Sequence, residues 1–152
     1  MIEIKVGDCT ERLKDLEDNS VDAVICDPPY GLKFMAKGWD DIGEGSQQRE
    51  WHRAWISEAH RVLKPNGVLK AFSGTRTFHH LIAMMEEIGF SELRIEAWTY
   101  GSGFPKSHNL AKQLEKDSLS AEEVKTWDGW GTALKPAWES ICIGYKRVDT
   151  ES

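Results

Sequence analysis

The chain has 152 residues, a length typical of one domain with one hydrophobic core. Its formal net charge of −6 excludes a uniformly basic nucleic-acid binder but leaves room for a local basic face. No apolar run approaches the ~20 residues of a membrane span, and the N-terminus lacks the features of a secretory signal, so we expect a cytoplasmic protein without a membrane partner. Cys9, Cys26 and Cys142 are odd in number and widely spaced, which predicts neither a disulfide framework nor a metal site.

The first half of the chain alternates short strand and helix patterns. "MIEIKV" (1–6) alternates apolar and polar residues and predicts a strand, and the leucines at 13 and 16 indicate a short helix after it. "VDAVIC" (21–26) is an apolar run typical of a strand covered on both faces. An amphipathic helix then buries Trp51 and Trp55 along one stripe, and "KPNG" (64–67) ends it.

The second half continues this alternation. A helix is predicted at 75–90, and strands are predicted at "GVLKAFSG" (67–74), "LRIEAWTY" (93–100) and "WESICIGY" (138–145). Residues 102–131 are polar, with helical potential around 110–114 and a loop rich in Trp and Gly. Such alternation predicts an open α/β sheet, in which ligands bind at the carboxyl ends of the strands. Asp8 and the turns "DPPY" (27–30) and "SGTR" (73–76) should therefore meet at one edge of the sheet.

The turn "DPPY" carries the most specific chemical signal. Pro28 and Pro29 restrict the backbone and keep Asp27 extended, so the carbonyl oxygens form a preset row of acceptors. Such a row beside a carboxylate suits a hydrogen-bond donor that loses protons, such as the exocyclic amine of a nucleobase. Tyr30 offers a flat face for base stacking, worth roughly 1–3 kcal/mol per base. The alternative is that the turn only ends a strand and that Tyr30 packs in the core.

Four blocks of sequence resemble one known family. They occur in the order expected when the catalytic motif comes early, and they are "DPPYGLKFMAKGWD", "HRVLKPNGVLKAFSGTRTFHH", "WTYGSGFPKS" and "WGTALKPAWESI". Together they resemble the S-adenosylmethionine-dependent amino methyltransferases of DNA, in particular the adenine-specific members of phages and prophages. The resemblance implies an open Rossmann-like methyltransferase sheet with helices on both faces. It covers nearly all of a catalytic half-domain at 1–147, followed by a C-terminal tail at 148–152.

The resemblance also implies roles for individual residues. Asp27 and the carbonyl of Pro28 would accept hydrogen bonds from the target amine, and Tyr30 would stack on a base flipped out of the duplex. These acceptors would raise the electron density of the amine as it attacks the sulfonium methyl group, without a metal ion. The implied S-adenosylmethionine site is bordered by Asp8, Cys9, Asp27, Ser73 and Gly74. Candidates for DNA contact, drawn from the basic residues near these motifs, are Lys33, Lys37, Arg76, His79, Lys106 and His108.

One expected feature is not recognised in residues 1–152. The family carries a glycine-rich turn, Phe-x-Gly-x-Gly, which in this arrangement follows a target-recognition region near the C-terminus. "GSGF" (101–104) is interpreted instead as a flexible turn near the DNA-binding cleft. We therefore expect an incomplete sheet, without its first cofactor-side strands and with an unprotected edge. Either another copy of this chain or a separate polypeptide carrying the missing half would cover that edge.

The leading hypothesis is methyl transfer from S-adenosylmethionine to the exocyclic amine of adenine in DNA. The acid at the first position of the motif favours adenine, while the amine of cytosine remains open. Two further alternatives remain. One is a non-catalytic remnant that binds DNA or the cofactor without turnover. The other is an enzyme that consumes the cofactor without forming a DNA product.

Overall fold

A computed structural model describes residues 2–33, 38–101, 109–131 and 137–147. The chain divides into two compact units, the first formed by residues 1–98 with 139–152 and the second by residues 99–138. The secondary structure contains, in chain order, α1 (Cys9–Arg12), a 3-10 turn (Leu13–Asp15), β1 (Val21–Cys26), a second 3-10 turn (Gly38–Asp40), α2 (Ser46–Val62), β2 (Leu63–Ser73), α3 (Phe78–Ile88), β3 (Phe90–Thr99), α4 (Leu110–Lys116), α5 (Ala121–Thr126) and β4 (Trp138–Lys146). None of the described helices is long and apolar enough to cross a membrane.

The four strands form one mixed sheet in the order β1-β2-β4-β3. β1 and β2 are parallel, with Cys26 opposite Ala71, whereas β4 runs antiparallel to β2 and places Cys142 opposite the same Ala71. The apolar runs at 21–26, 67–74, 93–100 and 138–145 therefore form strands, as predicted, and the α/β class is confirmed. β1 and β3 are the outer strands, and in the described part of the chain the only neighbour of β1 is β2.

The core lies between one face of the sheet and two helices. Successive residues of a strand point to opposite faces, and on β2 it is Leu69 and Ala71 that are fully buried. α2 and α3 pack against each other and against this face, with Trp55, Ile56, Ala59, Leu81, Met84 and Met85 in a single cluster. α3 ends at Gly89, whose φ of 110° is the left-handed conformation that favours glycine at a helix C-terminus.

The opposite face of the sheet is more exposed. Ile25 on β1 is 71% exposed and Trp98 on β3 is 56% exposed. Phe72 packs edge-on against Trp98, with 5.9 Å between the ring centroids. Lys70 and Glu96 lie 4.0 Å apart on the same face. Exposed apolar side chains therefore lie on this face at both outer strands, β1 and β3.

Three local predictions are wrong. Residues 2–6 form no strand, and Ile2, Ile4 and Val6 are each at least 85% exposed, because no described strand lies beside them to complete a hydrogen-bonded ladder. Trp51 is 36% exposed, and His52, at 1%, is the neighbouring side chain that α2 buries. α2 ends at Val62, before "KPNG", and residues 64–67 form an irregularity in β2 between the pairs Val21–Leu63 and Ala23–Val68.

Buried His52 predicts a pH dependence of stability. Its Nδ1 atom accepts a hydrogen bond from the indole N–H of Trp55 at 3.2 Å. Burial, followed by the charge of His80, lowers the pKa of His52 from 6.5 to about 4. The unfolded chain therefore binds more protons between pH 6.5 and 4, so the free energy of unfolding falls as pH decreases through this window. At about 1.4 kcal/mol per pKa unit, the loss is about 3 kcal/mol.

Chemical denaturation at several pH values measures this loss. His52→Gln, which keeps an acceptor for Trp55, should flatten the dependence between pH 6.5 and 4. His79→Gln, at an exposed position, should leave it unchanged. An unchanged slope in the His52 variant would contradict the assignment.

Candidate active site

The "DPPY" turn lies at the carboxyl end of β1, beside the end of β2. Asp27 is exposed, whereas Pro28, Pro29 and Tyr30 are half-buried. A methyl group added to Gly74, just after β2, would lie 3.4 Å from Cδ2 of Tyr30, so glycine permits a close approach of the two turns. The parallel strands thus bring "DPPY" and "SGTR" together, as predicted, in the position where open α/β sheets bind ligands.

A buried carboxylate fixes the backbone that follows Tyr30. Asp40 is only 2% exposed. Its Oδ1 accepts a hydrogen bond from the amide of Gly31 at 2.9 Å, and its Oδ2 accepts one from the amide of Leu32 at 3.1 Å. Hydrogen bonds to an ionised group are stronger than those between neutral groups. Asp40 therefore holds two consecutive peptide groups in one orientation, directly after the "DPPY" motif.

A second side chain, Gln48 of α2, holds the same segment. Its Nε2 donates a hydrogen bond to the carbonyl oxygen of Tyr30 at 3.0 Å. Gly31 has a φ of 69°, and a Cβ atom there would lie 2.8 Å from Cδ of Gln48. Only glycine combines this left-handed backbone with so close a neighbour. Gly31 is therefore required for Gln48 to reach the carbonyl of Tyr30.

The phenol of Tyr30 is held from β4. Its hydroxyl donates a hydrogen bond to Oε2 of Glu139 at 3.2 Å. Burial raises the pKa of Tyr30, and the neighbouring carboxylates of Asp27 and Glu139 raise it further. The phenol therefore stays protonated at neutral pH and remains a donor. Tyr30 is thus attached at both ends, through its main-chain carbonyl and through its hydroxyl.

The residues Asp40, Gln48 and Glu139 received no role in the sequence analysis. Asp40 ends the block "DPPYGLKFMAKGWD", and Glu139 lies within "WGTALKPAWESI", so both stood inside the blocks that carry the family resemblance. Gln48 lies outside all four blocks. An acid within such a block, without a predicted helix or strand to explain it, was the available signal for Asp40.

The residues predicted around the cofactor lie on both sides of Asp27. Asp8 caps α1, and its Oδ1 accepts hydrogen bonds from the Thr10 hydroxyl at 2.6 Å and amide at 2.8 Å, which lower the pKa of Asp8. Burial raises the pKa of Cys26 to about 12, and the nearby groups of Cys9 and Asp27 contribute to the shift. Cys9 is thus a neighbour of the end of β1. A cavity of about 360 Å³ borders the "GDC" turn.

Ser73 and Gly74 lie on the other side, at the end of β2. Ser73 is 2% exposed, and its carbonyl accepts a hydrogen bond from the hydroxyl of Ser140 at 2.8 Å. Both residues are buried, and Gly74 lies close to the ring of Tyr30. A direct role in binding the cofactor stays a prediction for Ser73 and Gly74, as it does for Asp8 and Cys9.

Half of the predicted DNA contacts lie among the described residues. Lys33 is exposed and pairs with Glu44 at 3.2 Å and with Asp41 at 3.8 Å. Arg76 and His79 are exposed at the start of α3. Lys33 and Arg76 line the same cavity, which borders the turn after Tyr30. The other three, Lys37, Lys106 and His108, lie outside the described residues.

Comparison with known families matches most of the chain to one family. The profile of the N6/N4 methyltransferase family, described as DNA methylase, matches residues 21–149. The chain belongs to this DNA methylase family. The match begins at the first residue of β1 and extends beyond β4, so it includes the "DPPY" turn and the three residues that hold it.

Two curated relatives are type II methyltransferases. M.HpaI of Haemophilus parainfluenzae is 33% identical over 102 residues, which cover 66% of this chain and 32% of M.HpaI. M.HindIII of Haemophilus influenzae is 24% identical over 181 residues, which cover 96% of this chain and 58% of M.HindIII. The chain therefore spans less than two thirds of the length of either relative.

Solved structures agree with the fold. The protein TTHA0409 of Thermus thermophilus has a TM-score of 0.62 and 19% identity, covering 96% of this chain and 53% of that protein. TTHA0409 has also been solved in complex with S-adenosyl-L-methionine. The PvuII DNA methyltransferase, described as cytosine-N4-specific, has a TM-score of 0.60 and 20% identity, covering 93% and 48% of the two chains. The sheet is thus of the open Rossmann-like methyltransferase type.

The attachment of Gly31 and Leu32 to Asp40 yields a direct test. Asp40→Ala leaves two amide donors without this acceptor, and each unsatisfied buried group costs about 1–3 kcal/mol. Asp40→Asn keeps one acceptor oxygen and should lose about half as much stability. Hydrogen exchange followed by NMR should show faster exchange at Gly31 and Leu32 in both variants. Asp15→Ala, in the exposed 3-10 turn, is the control. Equal exchange in wild type and Asp40→Ala would contradict the role of Asp40.

Proposed function

We propose that the chain transfers a methyl group from S-adenosylmethionine to the exocyclic amine of adenine in DNA. The observation that carries this proposal is the "DPPY" turn of a DNA methylase, placed at the carboxyl end of β1 with Tyr30 held at both ends. Asp27 and the carbonyl of Pro28 are the acceptors for the amine in this proposal. Pro29 completes the rigid turn, and Tyr30 stacks on the target base.

The chemistry follows from acceptors that are positioned before the substrate arrives. The amine of a nucleobase is a poor nucleophile because its lone pair is delocalised into the ring. Acceptors at both of its protons raise its electron density, and Asp27 is exposed and accessible for this contact. Fixed acceptors need no reorganisation during the reaction, and alignment alone can contribute up to about 7–11 kcal/mol in well-oriented reactions.

The methyl donor is S-adenosylmethionine, which supplies an electrophilic sulfonium methyl group when bound. The chemistry of the residues at the end of β1 fits such a group, since the exposed carboxylates of Asp8 and Asp27 suit a cationic sulfonium and hydroxyl-bearing ribose. We propose Cys9, Ser73 and Gly74 as further residues of the same cofactor site. These residues would bind and orient the donor, and none of them carries the methyl group.

Support for DNA as the substrate comes from the family and from the basic residues around the turn. Lys33, Arg76 and His79 lie at or near the cleft beside Tyr30, and we propose them as contacts to the DNA strand. Lys37, Lys106 and His108 belong to the same proposal. The target base must leave the duplex to reach Tyr30, at a cost of a few kcal/mol in stacking and pairing. A DNA substrate is consistent with the proposed cytoplasmic location.

Adenine is proposed rather than cytosine because the motif begins with an acid. The family includes enzymes of both amine types, and the structural neighbour from the PvuII system is cytosine-N4-specific. Analysis of the modified nucleosides separates the two, since N6-methyladenine and N4-methylcytosine differ in mass and retention. N4-methylcytosine as the product would overturn the adenine assignment and keep the DNA methylase.

The open edge of β1 points to a further component of the active enzyme. β1 has one described neighbour, and Ile25 is 71% exposed on the open face. Edge strands are usually covered or paired. We propose that additional cofactor-side strands cover this edge and this face, supplied by a second copy of the chain or by a separate polypeptide. Full methyl transfer would then require that component.

The role of Asp27 is tested by substitution. Asp27→Ala should lower methyl transfer to DNA by at least about 100-fold, a loss typical of removing one preorganised group, while the circular dichroism spectrum stays unchanged. Asp22→Ala is the matched control, because Asp22 is an exposed acid at the opposite end of the same strand. Full activity in Asp27→Ala would remove Asp27 from the mechanism.

Product analysis of the same reactions with labelled S-adenosylmethionine tests the whole proposal. Methyladenine in DNA supports it. Breakdown of the cofactor without a DNA product would instead indicate a cofactor-consuming enzyme. Binding of DNA or cofactor without either product, also when the remainder of a longer relative is added, would indicate a remnant without turnover.

Light scattering tests whether a second copy of the chain covers the outer edge of β1. At micromolar concentration the chain should form a dimer or larger species, and Ile25→Lys should shift it towards monomer because a charge disfavours an apolar interface. Trp127→Lys, at an exposed position in the second unit, is the control. A wild-type monomer would exclude self-association. Cofactor titration with and without the remainder of a longer relative would then test whether strands from outside residues 1–152 complete the site.

A further inference from the structure

The hydroxyl of Thr77 is buried without a hydrogen-bond partner. Thr77 is 9% exposed and occupies the N-cap position of α3. Its φ of −123° and ψ of −9° differ from the extended geometry of a capping residue, and its side chain makes no capping hydrogen bond. Within the described part of the chain, Oγ1 has no partner at all. A buried hydroxyl in this state carries a desolvation cost that nothing in the described protein offsets.

Arg76, next to it, is in an unfavourable electrostatic position. It precedes an 11-residue helix, and the N-terminus of a helix carries partial positive charge that disfavours a cation. Arg53, on the neighbouring helix α2, is by contrast paired with Glu50 and Glu87. Arg76 makes no ion pair with any residue that the structure describes. The charge of Arg76 and the hydroxyl of Thr77 thus lack partners at adjacent positions.

Both residues line one cleft. A cavity of about 330 Å³ lies between the turn after Tyr30, the start of α2 and the start of α3. The one carboxylate that lines it, Glu44, is paired with Lys33 at 3.2 Å, and Asp41 outside the lining lies 3.8 Å from the same lysine. Among the charged residues of the lining, Arg76 is therefore the one without an ion pair to a described residue. Burial, followed by the charges of His79 and Arg49, lowers the pKa of His80, so its imidazole is neutral at pH 7 and able to donate one hydrogen bond. The cleft thus presents donors and a net positive charge.

We propose that this cleft is a phosphodiester subsite, in which Arg76 and Thr77 bind a backbone phosphate of the DNA strand whose target base lies at Tyr30. The inference rests on the proposed function. Phosphate is the anion that matches these features, because a guanidinium and a hydroxyl each complement its oxygens. The amides of Thr77 and Phe78 already donate to the carbonyl of Gly74, so the two side chains carry the proposed contact. Oγ1 of Thr77 is buried in the free protein, and its side chain must rotate about χ1 to reach the phosphate. Gly31 and Leu32 line the cleft directly after the "DPPY" motif, so the subsite borders the position proposed for the base.

The subsite explains why an unpartnered hydroxyl is retained at Thr77. Valine has nearly the same shape as threonine and no polar atom. Thr77→Val should therefore stabilise the free protein, with a rise in Tm of about 2–4 °C, the shift typical of removing one unsatisfied group in a chain of this size. The same variant should weaken DNA binding. Opposite effects on stability and affinity distinguish a ligand site from a packing position.

The decisive experiment places neutral methylphosphonates, one position at a time, in a short oligonucleotide. At one position the substitution should weaken binding to the wild-type chain roughly tenfold, as expected for losing a charge-assisted hydrogen bond. In Arg76→Gln, methylphosphonate at the same position should no longer weaken binding. The slope of log affinity against log salt should also fall in magnitude by about one. Arg53→Gln is the charge-matched control and should retain the full effect. Binding of DNA with the same methylphosphonate profile in wild type and Arg76→Gln would overturn the subsite.

Inorganic phosphate separates the subsite from the proposed function. Titration followed by NMR should shift the amides of Thr77 and His79 in the wild type and not in Arg76→Gln, and added DNA should displace the phosphate. If the chain binds no DNA even with the remainder of a longer relative added, the proposed function fails and the phosphate titration alone decides the subsite. Saturating shifts then support an oxyanion site, and unchanged spectra overturn it. Shifts at these amides caused by S-adenosylmethionine, and not by phosphate or DNA, would also overturn the phosphodiester assignment.

Discussion

Cys26 on β1 and Ala71 on β2 lie side by side in a parallel ladder, so the two strands end at the same level of the sheet. Everything at the candidate site follows from this pairing. The turn after β1 carries Asp27 and Tyr30, and the turn after β2 carries Gly74 and Arg76. Neither turn forms a binding surface by itself. Together they place the oxygen atoms of the "DPPY" turn beside the cleft that Arg76 lines.

The site is stiffened by polar groups that the core would normally exclude. A buried carboxylate such as Asp40 costs free energy unless hydrogen bonds replace its lost hydration. The amides of Gly31 and Leu32 provide that replacement, and the two hydrogen bonds fix the orientation of these peptide groups. Gln48 and Glu139 act similarly on Tyr30. The turn therefore depends on charge and hydrogen bonding for its shape, while the helices behind it depend on apolar packing.

The sequence predicted the framework of the molecule better than its details. The strands at 21–26 and 138–145 were readable because β-branched apolar runs have few other uses. "MIEIKV" has a strand pattern, but a pattern does not supply the neighbour that a strand needs. α5 was missed although Ser120 and Glu123 form a capping box, a signal that was present in the sequence.

The contacts that shape the site could not be predicted in the same way. Asp40 reaches Gly31 through a turn without periodicity, and no local rule connects two such positions. Glu139 and Tyr30 are separated by 109 positions, so their contact follows from the strand order alone. The buried state of His52 likewise depends on how α2 is rotated against α3. These contacts are properties of the assembled fold and leave little trace in local sequence.

The strand order also has a consequence for synthesis of the protein. β4 lies between β2 and β3 although it comes last in the chain. During translation, β3 has no neighbour in the described sheet until residues 138–146 leave the ribosome, and the phenol of Tyr30 has no acceptor from Glu139. Non-local pairings of this kind are slow to form, because the loop must close before the contact stabilises it. The hydrogen bond between Tyr30 and Glu139 is therefore completed among the last events of folding, and nascent chains that end before β4 carry the "DPPY" turn without it.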